Sequence, residues 1–199
     1  MAAKILSVRQ GEDGTLVELD PYGEIICKAD MVELLPLVGL ELDDEGEAEL
    51  LRTLTMPALE AGAYQLGMRA LTRKKLVEKL VEKGHDPFLA ERAADKLEEM
   101  GALDDAEYAR MFAQDRAARG WGEIRIRAEL RNRGVDEDYI DCAIGELESS
   151  EDAIEAFIIS KCHGEPLDRK AAKKISDALA RKGFRWDEIS PILRRYMED

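Results

Sequence analysis

Two histidines, three cysteines and two tryptophans are all that the 199 residues hold of these types. Each scarcity closes a route. Cys27, Cys142 and Cys162 are an odd number at spacings that fit neither a disulfide framework nor a Cys-x-x-Cys zinc knuckle, so reduced core thiols are expected. His85 and His163 have no Cys or Asp around them at nucleophile or metal-ligand spacing. Neither Gly-x-x-x-x-Gly-Lys-Ser/Thr nor Gly-x-Gly-x-x-Gly occurs, which leaves nucleotide hydrolysis and dinucleotide binding without a motif. The longest run without a charged side chain is the eight residues Ala61–Met68. That is well short of the about 20 residues a membrane-crossing helix needs, and "MAAKILSVRQ" has no apolar signal core. The expectations are a soluble, cytoplasmic binding protein, not an enzyme, with no cofactor, no metal and no membrane partner.

Charge, in contrast, is plentiful and uneven: 36% of the residues are charged and the formal net charge is -14. Residues 1–55 carry 4 basic and 13 acidic side chains, hence -9 of that total. This region reads as a small β-led module. Glu12-Asp13-Gly14 and Asp20-Pro21-Tyr22-Gly23 are turn chemistry between three short strands, because Gly accepts positive φ and Pro presets a turn. Short helices are expected over Asp30–Leu37 and Asp43–Leu54, the second opened by an Asp cap.

Beyond Met56 the pattern is helical and repeats. Lys83-Gly84, Arg133-Gly134 and Lys182-Gly183 fall 50 and then 49 residues apart. Eight and four residues before each glycine stand Leu76 and Leu80, Ile126 and Leu130, Ile175 and Leu179. An apolar i, i+4 pair followed by a basic residue and Gly describes a helix that buries one stripe and closes in a left-handed residue. Six, ten and thirteen residues after the glycines come Ala90, Ala94 and Leu97; Ile140, Ile144 and Leu147; Ile189, Leu193 and Tyr196. Another amphipathic helix therefore follows. With leading helices at Ala58–Arg69, Asp104–Arg119 and Glu151–Cys162, the fold class is mainly α: three tandem three-helix repeats after a small β-rich (α+β) N-terminal module. The expected divisions are 1–56, 57–103, 104–149 and 150–199.

Charge sorts by helix within the repeat. The middle segments 71–83 and 119–133 each balance to +3 and 168–182 to +4, whereas 135–148 has six acidic residues and no basic one. One reading makes these solvated helix faces. The other makes them a basic surface for a polyanion, whose phosphates add affinity by releasing counterions. At 100° per residue Arg127 and Arg131 lie about 100° and 140° from buried Ile126, flanking the core and free to reach a partner. Trp121 and Trp186 read as helix-entry packing more readily than as stacking platforms.

"GALDDAEYARMFAQDRAARGWGEIRIRAELRNRGVDEDYIDCAI", residues 101–144, resembles the central segment of the RecX regulatory-protein family, with its Leu-Asp-Asp opening, Gly-aromatic-Gly, Arg-Ile and Glu-Leu before a basic-x-Gly turn. "AYQLGMRALTRKKLVEKLVEKGHD" and "AAKKISDALARKGFRWDEISPIL" resemble the flanking repeats, so the likeness runs from Ala58 to Leu193. His85, where an aromatic is commoner, and Lys182, where Arg is frequent, depart from the pattern. The N-terminal module resembles an extension found in some members. The resemblance implies a monomeric modulator, most simply an inhibitor, of the RecA recombinase. It would lie in the groove of the RecA filament on single-stranded DNA and bind bare DNA weakly. Arg73, Lys74 and Lys79, then Trp121, Arg125, Arg127 and Arg131, then Lys170, Lys173 and Lys174 are the candidate partner- and DNA-binding residues. A helix-turn-helix transcription regulator, with one recognition helix in a major groove, is the alternative; a helical scaffold with no nucleic-acid role is a third.

Overall fold

The computed structural model describes residues 3–162 and 165–197; His163 lies outside them. The chain divides into two compact units, Met1–Asp104 and Asp105–Asp199.

In the first unit, β1 (Ala3–Gln10), β2 (Thr15–Asp20), β3 (Gly23–Cys27) and β4 (Glu41–Leu42) form an antiparallel sheet in the order β3-β2-β1-β4. Thr15, Val17 and Leu19 alternate inward along β2, the period that puts every second side chain on one face. The two-residue β4 was not legible as a strand. The short helix expected near residue 30 is a 3-10 helix, Val32–Leu37, with Pro36 inside it.

The largest departure follows. The helices expected over 43–54 and 58–69 are one 25-residue helix, α1 (Asp44–Met68), and the division expected at 56/57 falls inside it. Asp43 caps its start, accepting from the Gly46 amide at 2.9 Å. Pro57 withholds one backbone donor. Burial of Leu50, Leu51, Leu54, Ala58, Gly62 and Gln65 at helical spacing carries the helix through. Sheet residues Ile5, Val17 and Leu19 share a single core with Leu54 of α1, Leu76 and Leu80 of α2 (Arg73–Glu82) and Ala90, Ala94 and Leu97 of α3 (Pro87–Glu99).

The second unit holds α4 (Asp105–Ala118), α5 (Glu123–Asn132) and α6 (Glu137–Gly145), then α7 (Glu151–Cys162), α8 (Arg169–Lys182) and α9 (Trp186–Arg194). Each triplet has its own core. All six residues of the i, i+4 pairs are buried, and Gly84, Gly134 and Gly183 have φ of 83°, 81° and 94°. A mainly helical fold of three-helix repeats behind a small sheet is what the structure shows. Of the thiols, only Cys27 is buried, and burial pushes it up from its ordinary pKa. Cys142 is exposed and Cys162 half-buried, against expectation. Cys142 follows buried Ile140 by two residues, and two steps of 100° turn it to the solvent side.

Repeats two and three meet through backbone. The Gly122 and Ile124 amides, at the start of α5, donate to the carbonyls of Lys182 and Gly183, at the end of α8, at 2.8 and 3.0 Å. Helix starts and ends carry such unpaired groups, and here each supplies the other. A Cβ on Gly122 would lie 2.2 Å from the Gly183 carbonyl carbon and the Phe184 nitrogen. Gly122→Ala should therefore destabilise the 105–199 unit by about 1–3 kcal/mol in urea unfolding. Gly145→Ala, whose Cβ meets nothing within 4 Å, should be neutral or stabilising by about 0.4–1 kcal/mol.

Candidate nucleic-acid and partner interface

The three middle helices differ in what their cations meet. On α2, Arg73 pairs with Glu91, Asp95 and Glu98 of α3 at 2.7, 2.8 and 3.2 Å. Lys74 is exposed and Lys79 half-buried; neither has an ion pair among the described residues. The third helix of this repeat thus holds one of the three candidates there.

On α5 the pairing is more complete. Arg127 binds Glu123 at 2.7 Å and Asp141 at 2.5 Å, with Glu137 at 3.6 Å, and its side chain is only 21% exposed. Arg131 binds both carboxylate oxygens of Glu137, at 2.8 and 2.5 Å. The hydrogen bond to Asp141 does most to raise the Arg127 pKa, as the bond to Glu137 does for Arg131. These arginines were expected to be free; they are clamped to the acidic third helix of their own repeat. Angular position alone could not show this, because the clamp spans two helices.

Trp121 is half-buried, as helix-entry packing requires. The Arg125 guanidinium lies 3.7 Å and that of Arg116 5.0 Å from its ring centroid. Arg116 and Arg133 each also lie 4.8 Å from the Phe112 centroid. Cations over ring faces gain from the ring quadrupole, so the arginine-rich segment is stitched into its own repeat by aromatics as well as by acids. Trp186 reverses its expectation: it opens α9 and is 64% exposed.

On α8 no such pairing occurs among the described residues. Lys170, Lys173 and Lys174 are exposed and have no ion pair among the described residues. The acids of α9 are engaged elsewhere. Asp187 binds Arg185 at 3.2 Å; Glu188 accepts from the Arg185 amide at 2.7 Å and the Ser150 hydroxyl at 2.5 Å. Arg169 and Arg181, outside the candidate set, are exposed on the same helix. The count of six cations against one acid within α8 was the signal that could have singled them out.

No group among the described residues could hold a metal ion, and no helix among them is long and apolar enough to cross a membrane. His85 is half-buried in the turn after α2; burial first, then Lys28 and Lys83, lowers its pKa.

The fold is a small antiparallel sheet followed by three-helix repeats. The profile described as "RecX, second three-helix domain" matches residues 104–144. Regulatory protein RecX of Halorhodospira halophila is 34% identical over 142 residues, 70% of this chain and 88% of that one. Its namesake in Xanthomonas axonopodis pv. citri is 35% identical over 133 residues, 66% and 82%. The crystal structure of RecX from Lactobacillus salivarius superposes with a TM-score of 0.66 at 19% identity, over 71% of this chain and 96% of that one. Another crystal structure of a regulatory protein RecX gives 0.65 at 21% identity, over 96% and 98%. The chain belongs to the RecX regulatory-protein family.

The clamp is measurable. In a double-mutant cycle of Arg127→Ala and Asp141→Ala, a coupling of about 0.5–1 kcal/mol is expected. The Arg131 bond holds Glu137 below its ordinary pKa. Its stabilising contribution is therefore complete above the unfolded value of about 4.3 and is lost as pH falls through the lower folded value. Stability of the Glu137→Gln variant should match the parent in acid and fall behind it at neutral pH.

Proposed function

We propose that this protein is a non-enzymatic regulator of the RecA recombinase, binding the RecA filament on single-stranded DNA in its groove and inhibiting ATP hydrolysis and strand exchange in recombinational repair and the SOS response. Membership of the RecX family supports the regulator class. The observation that carries the rest is the cationic α8, held on a chain of net charge -14. Such a chain binds bare DNA weakly at physiological salt, where the Debye length of about 8 Å leaves distant like charge only partly screened. A filament that presents phosphate beside protein offers the local basic surface a composite target. The three-helix repeats that turn at Gly84, Gly134 and Gly183 are read as the binding units, with the protein acting as a monomer in the cytoplasm.

The contact set is narrower than the sequence suggested. Lys170, Lys173 and Lys174, with Lys74, Lys79 and Arg125, are its members; Arg73, Arg127 and Arg131 are intramolecular clamps, and Trp121 carries Arg125. RecA ATPase and strand-exchange rates on single-stranded DNA should fall as the protein is added. Unchanged rates, together with binding to specific duplex DNA at about 10⁻⁸ M or tighter, would favour the helix-turn-helix regulator instead.

A further inference from the structure

We infer that the exposed edge of the 3-10 helix Val32–Leu37, with the loop after it, is a docking surface for a basic amphipathic protein helix. The apolar face of that helix would cover the edge, and its lysines or arginines would meet the carboxylates beside it. The surface belongs to the β-led module, to which the regulatory reading gives no role.

The period of the segment makes the ridge. Three residues per turn place i and i+3 one above the other. Hydrogen bonds of that spacing run from the Leu34 amide to the Met31 carbonyl at 2.9 Å, from Val38 to Leu35 at 3.3 Å and from Leu40 to Leu37 at 3.1 Å. The segment therefore has three edges. Met31, Leu34 and Leu37 form the first and pack into the core of the unit. Glu33 and Pro36 form the second, which is exposed. Val32, Leu35 and Val38 form the third, apolar yet 56, 49 and 39% exposed, and it runs about 12 Å at 2.0 Å per residue. Leu40 is exposed just beyond it. The Gly39 amide, bonded to the Ile5 carbonyl at 2.8 Å, brings the exposed Leu6 of β1 alongside. Single exposed apolar side chains are ordinary, but a row of them on one short segment and its neighbouring strand is the kind of patch that interfaces cover.

Charge names the occupant. Residues 1–55 hold 13 acidic and 4 basic side chains. Glu33 stands on the edge next to the ridge and Glu41 follows Leu40; neither has an ion pair among the described residues. Of the cations, Arg9 is held by Glu24 at 3.0 Å, Arg52 by Glu49 at 2.5 Å and Lys28 by the Lys83 carbonyl. Lys4 stands opposite Glu41 in the β1–β4 register, and it too has no ion pair among the described residues. A nucleic acid, an anionic membrane and a second copy of this chain would each bring negative charge to a negative surface, at a cost that grows as salt is lowered. A helix with an apolar stripe and basic flanks brings the opposite sign. Its stripe, at i, i+3, i+4 and i+7, is the form that lies along an apolar surface.

The test is titration of a fluorescein-labelled peptide, an amphipathic helix with leucines on one face and lysines on the other, with the full chain, read by anisotropy. The parent should bind it, more tightly at low salt, and should not bind the counterpart in which glutamates replace the lysines. Val32→Ser and Leu35→Ser together should weaken binding roughly tenfold or more, because two apolar contacts are lost. Glu33→Gln with Glu41→Gln should weaken it about threefold at low salt, and the difference should vanish at about 1 M salt, where the Debye length is about 3 Å. Thermal midpoints should stay at the parent value, since none of these side chains is in the core. Leu35→Lys, which sets like charge against the peptide, should reproduce the loss if the serine pair melts early. Tyr64→Ser with Met68→Ser, at exposed apolar positions on α1, should leave the affinity unchanged. Unchanged affinity in the ridge variants, or an equal loss from the α1 pair, overturns the proposal, because the peptide is then held by acidic surface at large. A parent that sediments as a dimer and is dissociated by Leu35→Lys overturns it in favour of a second copy. Ridge-dependent binding to vesicles of phosphatidylglycerol, with none to the peptide, overturns it in favour of a membrane.

Discussion

Each repeat depends on one hydrogen-bonded closure after its middle helix. The amide of the residue following the glycine returns to the carbonyl of the second buried residue: His85 to Leu80 at 3.0 Å, Val135 to Leu130 at 3.2 Å, Phe184 to Leu179 at 3.2 Å. The glycine amide returns to the next carbonyl along, Val81, Arg131 or Ala180, at 2.8 to 3.0 Å. This pair of bonds is the Schellman closure, and it requires a left-handed residue between them. Glycine meets that requirement without the strain a Cβ would bring. Once the chain has turned there, the third helix folds back over the buried pair. Ile140 and Ile189 then fill the cores of repeats two and three, and Ala90 that of repeat one. At Gly183 the closure has a second use, because its carbonyl accepts the Ile124 amide and ties repeat three to repeat two.

The same return of the third helix decides the fate of the charge. In repeats one and two the third helix brings carboxylates against Arg73, Arg127 and Arg131 of the middle helices, whereas Lys74, Lys79 and Arg125 have no ion pair among the described residues. A pair such as Arg127 with Glu123 and Asp141 then contributes orientation of two helices more than net attraction to a partner. In repeat three the returning helix brings Ile189, Ile192 and Leu193 to the core, and its two acids serve its own N-terminus and Ser150. One repeated fold thus yields two basic helices clamped through arginines and one with no ion pair among the described residues.

The repeat itself was legible from the sequence, because the glycines and the i, i+4 pairs are local signals fixed by helix geometry. The β-led module was legible in its turns, but not the two-residue β4, whose pairing with Ala3 and Lys4 is decided by a partner far along the chain. The single helix α1 was missed because its texture changes near Met56 while its buried stripe does not. Of the candidate contact residues, Lys170, Lys173 and Lys174 are exposed and without an ion pair among the described residues. The ion pairing of Arg73, Arg127 and Arg131 was not legible, since net charge per helix says nothing of which acid comes across from the next one. Trp186 was read as packing, and its exposure is a property of the turn that aims α9.

The central claim is that unpaired cations on α8 meet the partner while paired ones on α2 and α5 do not. Lysine acetylation footprinting of the protein alone and bound to RecA on single-stranded DNA tests it most directly. Protection of Lys170, Lys173 and Lys174 well beyond that of the ion-paired Lys75 and Lys96 is the predicted result. Equal reactivity of the α8 lysines in the free and bound states would contradict it.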